Sequence, residues 1–384
     1  MYVVKSFESM KIAQISPLCE SVPPKAYGGT ERVVSYLTEE LVRQGHEVTL
    51  FASKDSQTKA QLVSTVEQSL RLKEGVLDTV AHHIVQMQEV IERMHEFDIL
   101  HFHTDYIHFP VTSNTSIPHV TTLHGRLDIP DLQYIYNKFK NQPVISISDA
   151  QRKPLPHAEW AGTVYHGLPL NLYTKGDGDG DYVVFLGRIS PEKAPDKAIE
   201  IAQRAGIPIK IAAKIDKADY EYYSQKIKPL FKLPHVEYLG EIGENEKEQL
   251  LQKAKALLFP INWPEPFGMV LAEAMACGTP TIAFPNGSVP ELVEEGKTGL
   301  IVHDTASAAS ALKNIDALDR DLIRNTFEKR FSVQVMADNY LYIYDNIINK
   351  KGKSIELPVN GQLSIGAKRT IASEGYLHIN GTRG

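Results

Sequence analysis

The segment Asn262-Trp-Pro-Glu-Pro-Phe-Gly-Met-Val-Leu-Ala-Glu-Ala-Met-Ala-Cys-Gly-Thr-Pro280 holds the most informative pattern in this chain. An apolar run at 256–260 predicts a short buried strand, and 268–277 predicts a helix that Gly278 ends. Glu273 is the only charged residue of that helix, and its neighbours three and four positions away are apolar. Burying such a carboxylate costs free energy unless it is hydrogen-bonded, so Glu273 is predicted to have a partner.

A second acid, Glu265, lies eight residues before Glu273, in the Pro-Glu-Pro turn that precedes the helix. The two acids border a helix N-terminus, where free N–H groups and the dipole favour an anion. This arrangement suits a sugar nucleotide, because carboxylates bind hydroxyl pairs and the helix end binds phosphate. The alternative is structural, with Glu273 paired to a buried Arg or Lys, and spacing alone leaves both interpretations open.

Composition is ordinary for a globular protein of two or three domains: 384 residues, 42% hydrophobic and 23% charged. The net charge of -6 gives no reason to expect nucleic acid or an anionic membrane as the partner. Cys19 and Cys277 lack metal or redox spacing, which favours a reducing cytoplasm. No apolar run of ~18 residues predicts a membrane span, and residues 1–9 do not read as a signal peptide. The oligomeric state stays open.

The first half of the chain reads as βαβ units, which predict a parallel sheet. A strand at 11–16, a Gly/Pro-rich loop, a helix that Thr30 caps and a strand at 47–52 form the first unit. Three more strands are expected at 98–103, 119–123 and 143–148, with helices at 76–95 and 130–140.

The second half repeats the alternation, so we expect two α/β domains with a ligand cleft between the carboxyl ends of their sheets. Strands are predicted at 182–186, 207–213, 236–239, 256–259, 280–284 and 299–302, and helices at 194–205, 218–231, 246–255, 268–277 and 289–294. The predicted organisation is an extension (1–9), a first domain (10–170), a linker (171–181), a second domain (182–330), a last helix (331–350) and a polar tail (351–384).

The linker sequence Thr174-Lys-Gly-Asp-Gly-Asp-Gly-Asp181 could suggest a calcium loop. Such a loop would need glycine at position 182 and a carboxylate at 188, where the chain has Tyr182 and Arg188. We therefore interpret the segment as a solvated linker.

Three further sets of residues follow predicted strands and point to the same cleft. Gly28 and Gly29 allow close backbone approach before a helix N-terminus, although a plain tight turn explains them equally well. His124 ends a strand and could bind a sugar hydroxyl, or be satisfied within its loop. Arg188 and Lys193 follow a buried strand and could neutralise a diphosphate, although a solvated turn is the alternative.

His101, His103 and His108 raise the possibility of a metal site. No carboxylate or cysteine cluster accompanies them, so we expect no metal there.

Together these residues resemble the family 4 glycosyltransferases, retaining enzymes of the GT-B fold, over residues 10 to 345. The most specific matches are Glu265 to Glu273 (the Glu-x7-Glu motif), the Gly-Arg…Glu-Lys segment at 187–193 and the early Gly-Gly loop. The resemblance implies two Rossmann-like domains facing across a cleft, with a last helix that crosses back to the first domain.

The resemblance also implies roles for individual residues. Glu265 would bind donor-sugar hydroxyls, Glu273 the nucleotide ribose, Arg188 and Lys193 the diphosphate, and His124 the transferred sugar. The remaining substrate-binding candidates are Gly28, Gly29 and Thr30 against phosphate or acceptor, backbone N–H groups of Phe267, Gly268, Met269 and Val270, and base contacts near Lys214 and Glu241.

Two positions depart from the family pattern. His166 precedes Gly167 where many members carry Asn, and Ala194 replaces the usual glycine after the cleft lysine. Neither change removes a charge from the predicted donor site, whereas the acceptor contacts are less well defined.

The resulting expectation is hexosyl transfer from a nucleotide-diphosphate sugar, with UDP-hexose as the expected donor, to a hydroxyl acceptor with retention, without metal or cofactor. A sugar-nucleotide epimerase or hydrolase of the same fold, and a non-catalytic sugar-nucleotide-binding subunit, are the alternatives.

Overall fold

The computed structural model describes residues 8–25 and 28–349, and within them two parallel β-sheets follow one another along the chain. The predicted tail at 351–384, most of the predicted extension at 1–9, and Ala26 and Tyr27 lie outside the described residues. None of the helices in the described part is long and apolar enough to cross a lipid bilayer.

The first sheet has seven strands in the order β3-β2-β1-β4-β5-β6-β7, all parallel. Its central strands are apolar and buried because helices cover both faces of the sheet. The strands are β1 Lys11–Ile15, β2 Glu47–Phe51, β3 Gln61–Val63, β4 Ile99–Phe102, β5 His119–Thr122, β6 Pro143–Ser146 and β7 Glu159–Thr163. The helices of this half are α1 Gly29–Arg43, α2 Thr79–Arg93, α3 Phe109–Thr112, α4 Leu132–Lys138 and α5 Asp149–Arg152.

The second sheet has six parallel strands in the order β10-β9-β8-β11-β12-β13. They are β8 Val183–Arg188, β9 Ile209–Lys214, β10 Val236–Gly240, β11 Leu257–Phe259, β12 Thr281–Ala283 and β13 Gly299–Ile301. The later helices are α6 Pro195–Ala205, α7 Tyr220–Tyr222, α8 Glu244–Lys253, α9 Met269–Ala276, α10 Val289–Leu292, α11 Thr305–Ala311, α12 Arg320–Arg330 and α13 Val333–Asn349.

The structure corrects three local predictions. Strands β3 and β7 went unpredicted because these partly exposed edge strands carry no continuous apolar run. The helix predicted at 218–231 is broken into short turns, and Pro229, which lacks an N–H, lies within it. Thr30 does not cap α1; the helix begins at Gly29 with Gly28 as its N-cap and no side-chain cap bond.

Helix α13 returns to the first half and completes its core. Met336, Tyr340 and Tyr344 are buried there in one cluster with Leu37 of α1 and Ile99 of β4. The predicted helix that crosses back is therefore confirmed, and the first sheet depends on residues from the end of the described chain.

The chain passes between the two halves twice, side by side. The Leu168 N–H donates to the Phe331 carbonyl at 2.9 Å, and the Val333 N–H donates to the Leu168 carbonyl at 2.8 Å. A Cβ atom on Gly167 would lie 2.4 Å from the Ser332 carbonyl oxygen, so only glycine fits at this crossing.

The segment predicted as a solvated linker is half packed. The N–H groups of Gly176, Gly178 and Gly180 donate to carbonyls of Cys277, Gln252 and Lys253 at 2.8–3.0 Å. The intervening aspartates are exposed, as expected. The segment is therefore bound to the second half by backbone hydrogen bonds, with its aspartate side chains in solvent.

Candidate functional site

The carboxyl ends of the neighbouring strands β8 and β11 bring Lys193 and Glu265 into contact. The ammonium group of Lys193 forms an ion pair with the buried Glu265 carboxylate. The Trp263 indole N–H donates to the same carboxylate at 2.8 Å, and the Lys193 ammonium lies 5.4 Å from the centre of the Trp263 ring. Residues 72 positions apart in sequence thus share one polar site.

The residue after Lys193 explains one departure from the family pattern. Ala194 has a φ of 53°, in the left-handed region that glycine adopts without strain. A side chain there costs roughly 1–2 kcal/mol. The family glycine therefore relieves a backbone strain that this chain retains at its cleft lysine.

The N-terminus of α9 lies directly after Glu265. Gly268 caps the helix with a φ of 81° and provides no side-chain cap, so its first N–H groups, those of Met269 and Val270 among them, are left for other acceptors. Phe267, just before, is buried. The sequence interpretation placed a phosphate at this helix end.

A loop that the sequence interpretation missed holds the turn before α9. The Ser288 N–H donates to the Glu265 carbonyl at 2.9 Å, and its hydroxyl donates to the Phe267 carbonyl at 2.7 Å. A Cβ atom on Gly287 would lie 2.3 Å from the Glu265 nitrogen. The only local signal was a Gly-Ser pair shortly after a strand.

Arg188 ends β8 and is surrounded by acids. Its guanidinium lies 2.9 Å from Glu192, 3.4 Å from Asp219 and 3.9 Å from Asp216. Lys214, its register partner on β9, lies 3.0 Å from Asp216. Arg188 therefore shares a loop with Lys193 while it pairs with different acids. Glu241, which follows β10, is exposed.

Glu273 is buried on α9 and pairs with Lys247 at 3.0 Å, the structural partner that the sequence left open. Lys247 lies 3.2 Å from Glu244, which in turn lies 3.0 Å from Arg32 of α1. Burial alone would lower the pKa of Lys247, but the carboxylates of Glu273 and Glu244 outweigh it and raise that pKa. Sequence spacing gave no sign of this network, which reaches both halves.

His124 follows β5 in the first half. It shares a 2.8 Å hydrogen bond with His103, and its ring stacks on His166 at a centroid distance of 5.2 Å. His166 in turn packs edge-on against Phe267, next to α9. Burial lowers the pKa of His124 to about 3, so the ring is neutral at physiological pH.

The histidines considered for a metal site have other partners. The ring nitrogens of His101 bond Thr122 and Tyr344, and those of His103 bond Gln14 and His124. No group of three or more metal-binding side chains occurs in residues 8–25 and 28–349.

The two glycines of the early loop, Gly28 and Gly29, differ in their surroundings. A Cβ atom on Gly28 would lie 2.7 Å from Pro24, so close packing within the loop requires this glycine. No atom of the described residues lies within 4 Å of a Cβ added to Gly29, and Thr30 follows it in the first turn of α1. Only Gly29 therefore has the room that the sequence interpretation assigned to a ligand.

Several contacts join the two halves around the candidate site. Arg126, after β5, lies 3.6 Å from Glu192 and 5.8 Å from the centre of the Trp263 ring. Glu291 of α10 accepts hydrogen bonds from the N–H groups of Asp149 and Ala150 at 2.8 and 2.6 Å. Arg126, Trp263, Lys247 and Glu291 are thus site neighbours that sequence reasoning missed.

Two family descriptions match the chain in tandem. Residues 27–158 match Glycosyltransferase Family 4, and residues 174–331 match Glycosyl transferases group 1.

Among curated proteins, an uncharacterised glycosyltransferase of Methanocaldococcus jannaschii is 24% identical over 276 residues, which cover 65% of this chain and 76% of that protein. The D-inositol 3-phosphate glycosyltransferase of Mycolicibacterium smegmatis is 26% identical over 211 residues, 51% of this chain and 47% of that protein. The match therefore spans less than half the length of this second relative.

Among solved structures, sucrose-phosphate synthase from Thermosynechococcus elongatus has a TM-score of 0.71 at 18% identity, covering 88% of this chain and 98% of that one. HepE of Anabaena in complex with UDP-glucose has a TM-score of 0.65 at 20% identity, covering 87% and 98%. At these identities the similarity establishes the GT-B fold alone.

Proposed function

The chain belongs to the glycosyltransferases, with a family 4 domain followed by a group 1 domain in the GT-B fold, and from this premise we propose the reaction. It transfers a hexosyl group from a nucleoside diphosphate sugar, UDP-hexose being the proposed donor, to a hydroxyl acceptor. The anomeric configuration is retained, and no metal takes part. We also propose the cytoplasm as its location, since Cys19 and Cys277 are both unpaired thiols.

The observation that carries the proposal is the contact of Lys193 with Glu265 directly before the N-terminus of α9. A diphosphate sugar needs a cation for its phosphates and acceptors for its hydroxyls. In the structure the two groups neutralise each other, so the buried Glu265 carboxylate has a counter-charge. On donor binding, Lys193 turns to the diphosphate and Glu265 to sugar hydroxyls.

The difficult part of the reaction is the charge that builds on the leaving diphosphate. The negative charge on the leaving diphosphate is stabilised by the positive charges of Arg188 and Lys193 and by the dipoles of the first N–H groups of α9. The leaving phosphate then takes the acceptor proton on the face from which it departs, which gives retention. A trapped glycosyl adduct on Glu265 would instead establish a double displacement.

Thermal unfolding with a panel of UDP-, GDP- and ADP-sugars tests the donor. A ligand at a hundred times its dissociation constant adds about 2.7 kcal/mol to the free energy of unfolding, so the true donor raises the melting temperature clearly. A panel in which no nucleotide sugar raises it would contradict the proposal.

Nucleotide release with and without hydroxyl acceptors then tests the reaction class. A transferase releases nucleotide quickly only with acceptor, whereas fast release without acceptor indicates a hydrolase or epimerase. Saturable binding without release indicates a binding protein. Proton NMR of the product reports retention, and unchanged rates after treatment with a chelator are expected.

A further inference from the structure

A buried chain of hydrogen bonds links His124 to the crossing helix α13. His103 Nδ1 lies 2.8 Å from His124 Nε2, and His103 Nε2 lies 2.8 Å from Gln14 Oε1. Gln14 Nε2 donates to the Tyr344 hydroxyl at 3.2 Å. We call these four residues the His124–Tyr344 chain. Three of them are at most 2% exposed: Gln14, His103 and Tyr344.

The direction of the hydrogen bonds follows from the amide of Gln14. Its Oε1 can only accept, so His103 carries its proton on Nε2. The neutral His103 ring then accepts on Nδ1, and the donor to it is His124 Nε2–H. His124 Nδ1 is therefore left as an acceptor.

On the Nε2 side of Gln14, the hydrogen bonds keep the same donor-to-acceptor direction. The Tyr344 hydroxyl accepts from Gln14 and donates to His101 Nδ1 at 2.6 Å, which leaves His101 Nε2–H to donate to the Thr122 hydroxyl at 2.7 Å. Hydroxyls and imidazoles can reverse their roles without moving a heavy atom. Gln14 cannot, because its donor and its acceptor are different atoms, and the amide must turn over to reverse.

His124 Nδ1 is buried and has no hydrogen-bond partner among the described residues. A buried hydrogen-bond acceptor without a partner costs free energy. A bound ligand whose hydroxyl donates a hydrogen bond to this atom recovers that free energy. The His166 ring stacks on the His124 ring and limits its rotation.

We propose that the His124–Tyr344 chain holds His124 with its proton on Nε2, so that Nδ1 accepts a hydrogen bond from a hydroxyl of the donor sugar. This proposal rests on the proposed function for the identity of the ligand. Gln14, His103 and Tyr344 are then positioning residues, and helix α13 determines the hydrogen-bonding character of a site residue that it does not touch.

Two tyrosines one helical turn apart provide a matched test. Tyr344→Phe removes the acceptor for the Gln14 amide N–H group, and an orphaned N–H is tolerated less well than an orphaned carbonyl. The amide therefore turns over, His103 accepts on Nε2, and the His124 proton moves to Nδ1. Tyr340→Phe is the control, because the Tyr340 hydroxyl lies 3.0 Å from the Thr122 hydroxyl, which is beyond His101 in the series of hydrogen bonds and does not contact Gln14 directly.

The readout is long-range proton–nitrogen NMR of protein labelled with 15N-histidine, with His124 assigned through His124→Gln. Wild type and Tyr340→Phe should carry the His124 proton on Nε2, and Tyr344→Phe on Nδ1. A wild-type proton on Nδ1, or the same tautomer in Tyr344→Phe, overturns the proposal. If Tyr344→Phe does not fold, Gln14→Met replaces it and should give a mixture of tautomers; a single Nε2–H form would refute the proposal.

Kinetics with UDP-glucose as the probe add a functional readout. Reversing one hydrogen bond to the sugar should lower kcat/KM about tenfold in Tyr344→Phe and leave Tyr340→Phe unchanged; an unchanged kcat/KM in Tyr344→Phe counts against the contact with the sugar. Wild-type protein that does not bind UDP-glucose or any other nucleotide sugar would contradict the proposed function, whereas the NMR result would still decide the tautomer.

Discussion

Lys193 is the residue on which the proposed chemistry depends most directly. Its ammonium group lies against Glu265 and Trp263, directly before the helix N-terminus at which we propose that the diphosphate binds. Once Lys193 has turned to the diphosphate, its charge lowers the barrier, because it does not have to reorganise as negative charge develops on the leaving group.

We predict that Lys193→Ala lowers turnover about a hundred- to a thousand-fold, the usual loss when one such donor is removed. Initial rates of nucleotide release with the donor found in the panel measure this. Lys197→Ala is the matched control, since Lys197 lies one helical turn further, over the Phe284 ring. Near-normal turnover in Lys193→Ala would remove this residue from the mechanism.

For single residues, the sequence could not predict which side chains pair with each other. Spacing placed Glu265 and Glu273 on either side of a helix N-terminus, but Lys247, the partner of Glu273, comes from α8. Partners across different elements depend on the packing of those elements, and no local pattern encodes it. Ala194 is similar, because its backbone strain is visible only in the φ angle.

Among the elements, helix α9 brings its free N–H groups next to the carboxylate of Glu265, the two kinds of group proposed to bind the donor. The left-handed Gly268 lets the chain turn from Glu265 into the helix, so that carboxylate and free N–H groups lie side by side. A residue with a Cβ atom at this turn would strain the backbone and crowd Phe259 at 3.2 Å.

Gly268→Ala is expected to lower the free energy of unfolding by about 1–2 kcal/mol and to weaken donor binding. The control is Gly296→Ala, because Gly296 also has a positive φ of 74°, but within the described part of the chain no atom lies within 4 Å of the added Cβ. Urea unfolding and thermal shift with the donor separate the two effects. Equal donor affinity in both variants would contradict a role for this turn.

Strand β4 and the segments that follow β4 and β5 are rich in buried histidines. Burial lowers the pKa of His101, His103, His108 and His124 in the folded protein, and lowers that of His166 on the adjoining segment. The unfolded chain has ordinary histidine pKa values near 6.5 and therefore binds protons that the folded protein does not.

The contribution of these histidines to stability should therefore be fully present above pH 6.5 and be lost progressively as the pH falls below it. The chain has two tryptophans, Trp160 in the first half and Trp263 in the second. Fluorescence of the Trp263→Phe variant follows the first half through an acid titration. A flat unfolding temperature between pH 7 and pH 5 would contradict the prediction.

The order of elements was predictable where strands are buried on both faces, because such strands are continuous apolar runs. The four inner strands of the second sheet, β9, β8, β11 and β12, were expected for this reason. Edge strands β3 and β7 escaped because neighbours on one side only leave their side chains partly exposed. The GT-B arrangement itself followed from the resemblance, not from the pattern of strands.

At the scale of the whole molecule, the two halves are joined by a narrow double crossing and by ion pairs around the candidate site. Arg32 with Glu244 and Arg126 with Glu192 connect them near the predicted donor residues. Opening and closing of the halves would therefore exchange these pairs for contacts with a ligand or with water.

The double crossing makes Gly167 sensitive to substitution. We predict that Gly167→Ala lowers the free energy of unfolding by about 1–3 kcal/mol, because the added Cβ atom overlaps the Ser332 carbonyl and the two segments must separate. Gly125→Ala is the control, because no atom of residues 8–25 and 28–349 lies within 4 Å of the Cβ added there. Urea denaturation measures both, and equal stability of the variants would show that the crossing yields without cost.

Helix α13 has a consequence for the order in which the protein can fold on the ribosome. Domains usually fold as they emerge, the first one first. Here the first sheet keeps an apolar face uncovered until residues 333–349 have been translated, whereas every strand of the second sheet has emerged by then. The half that is made first is completed last, and in the interval its bare face is a surface for chaperones to cover.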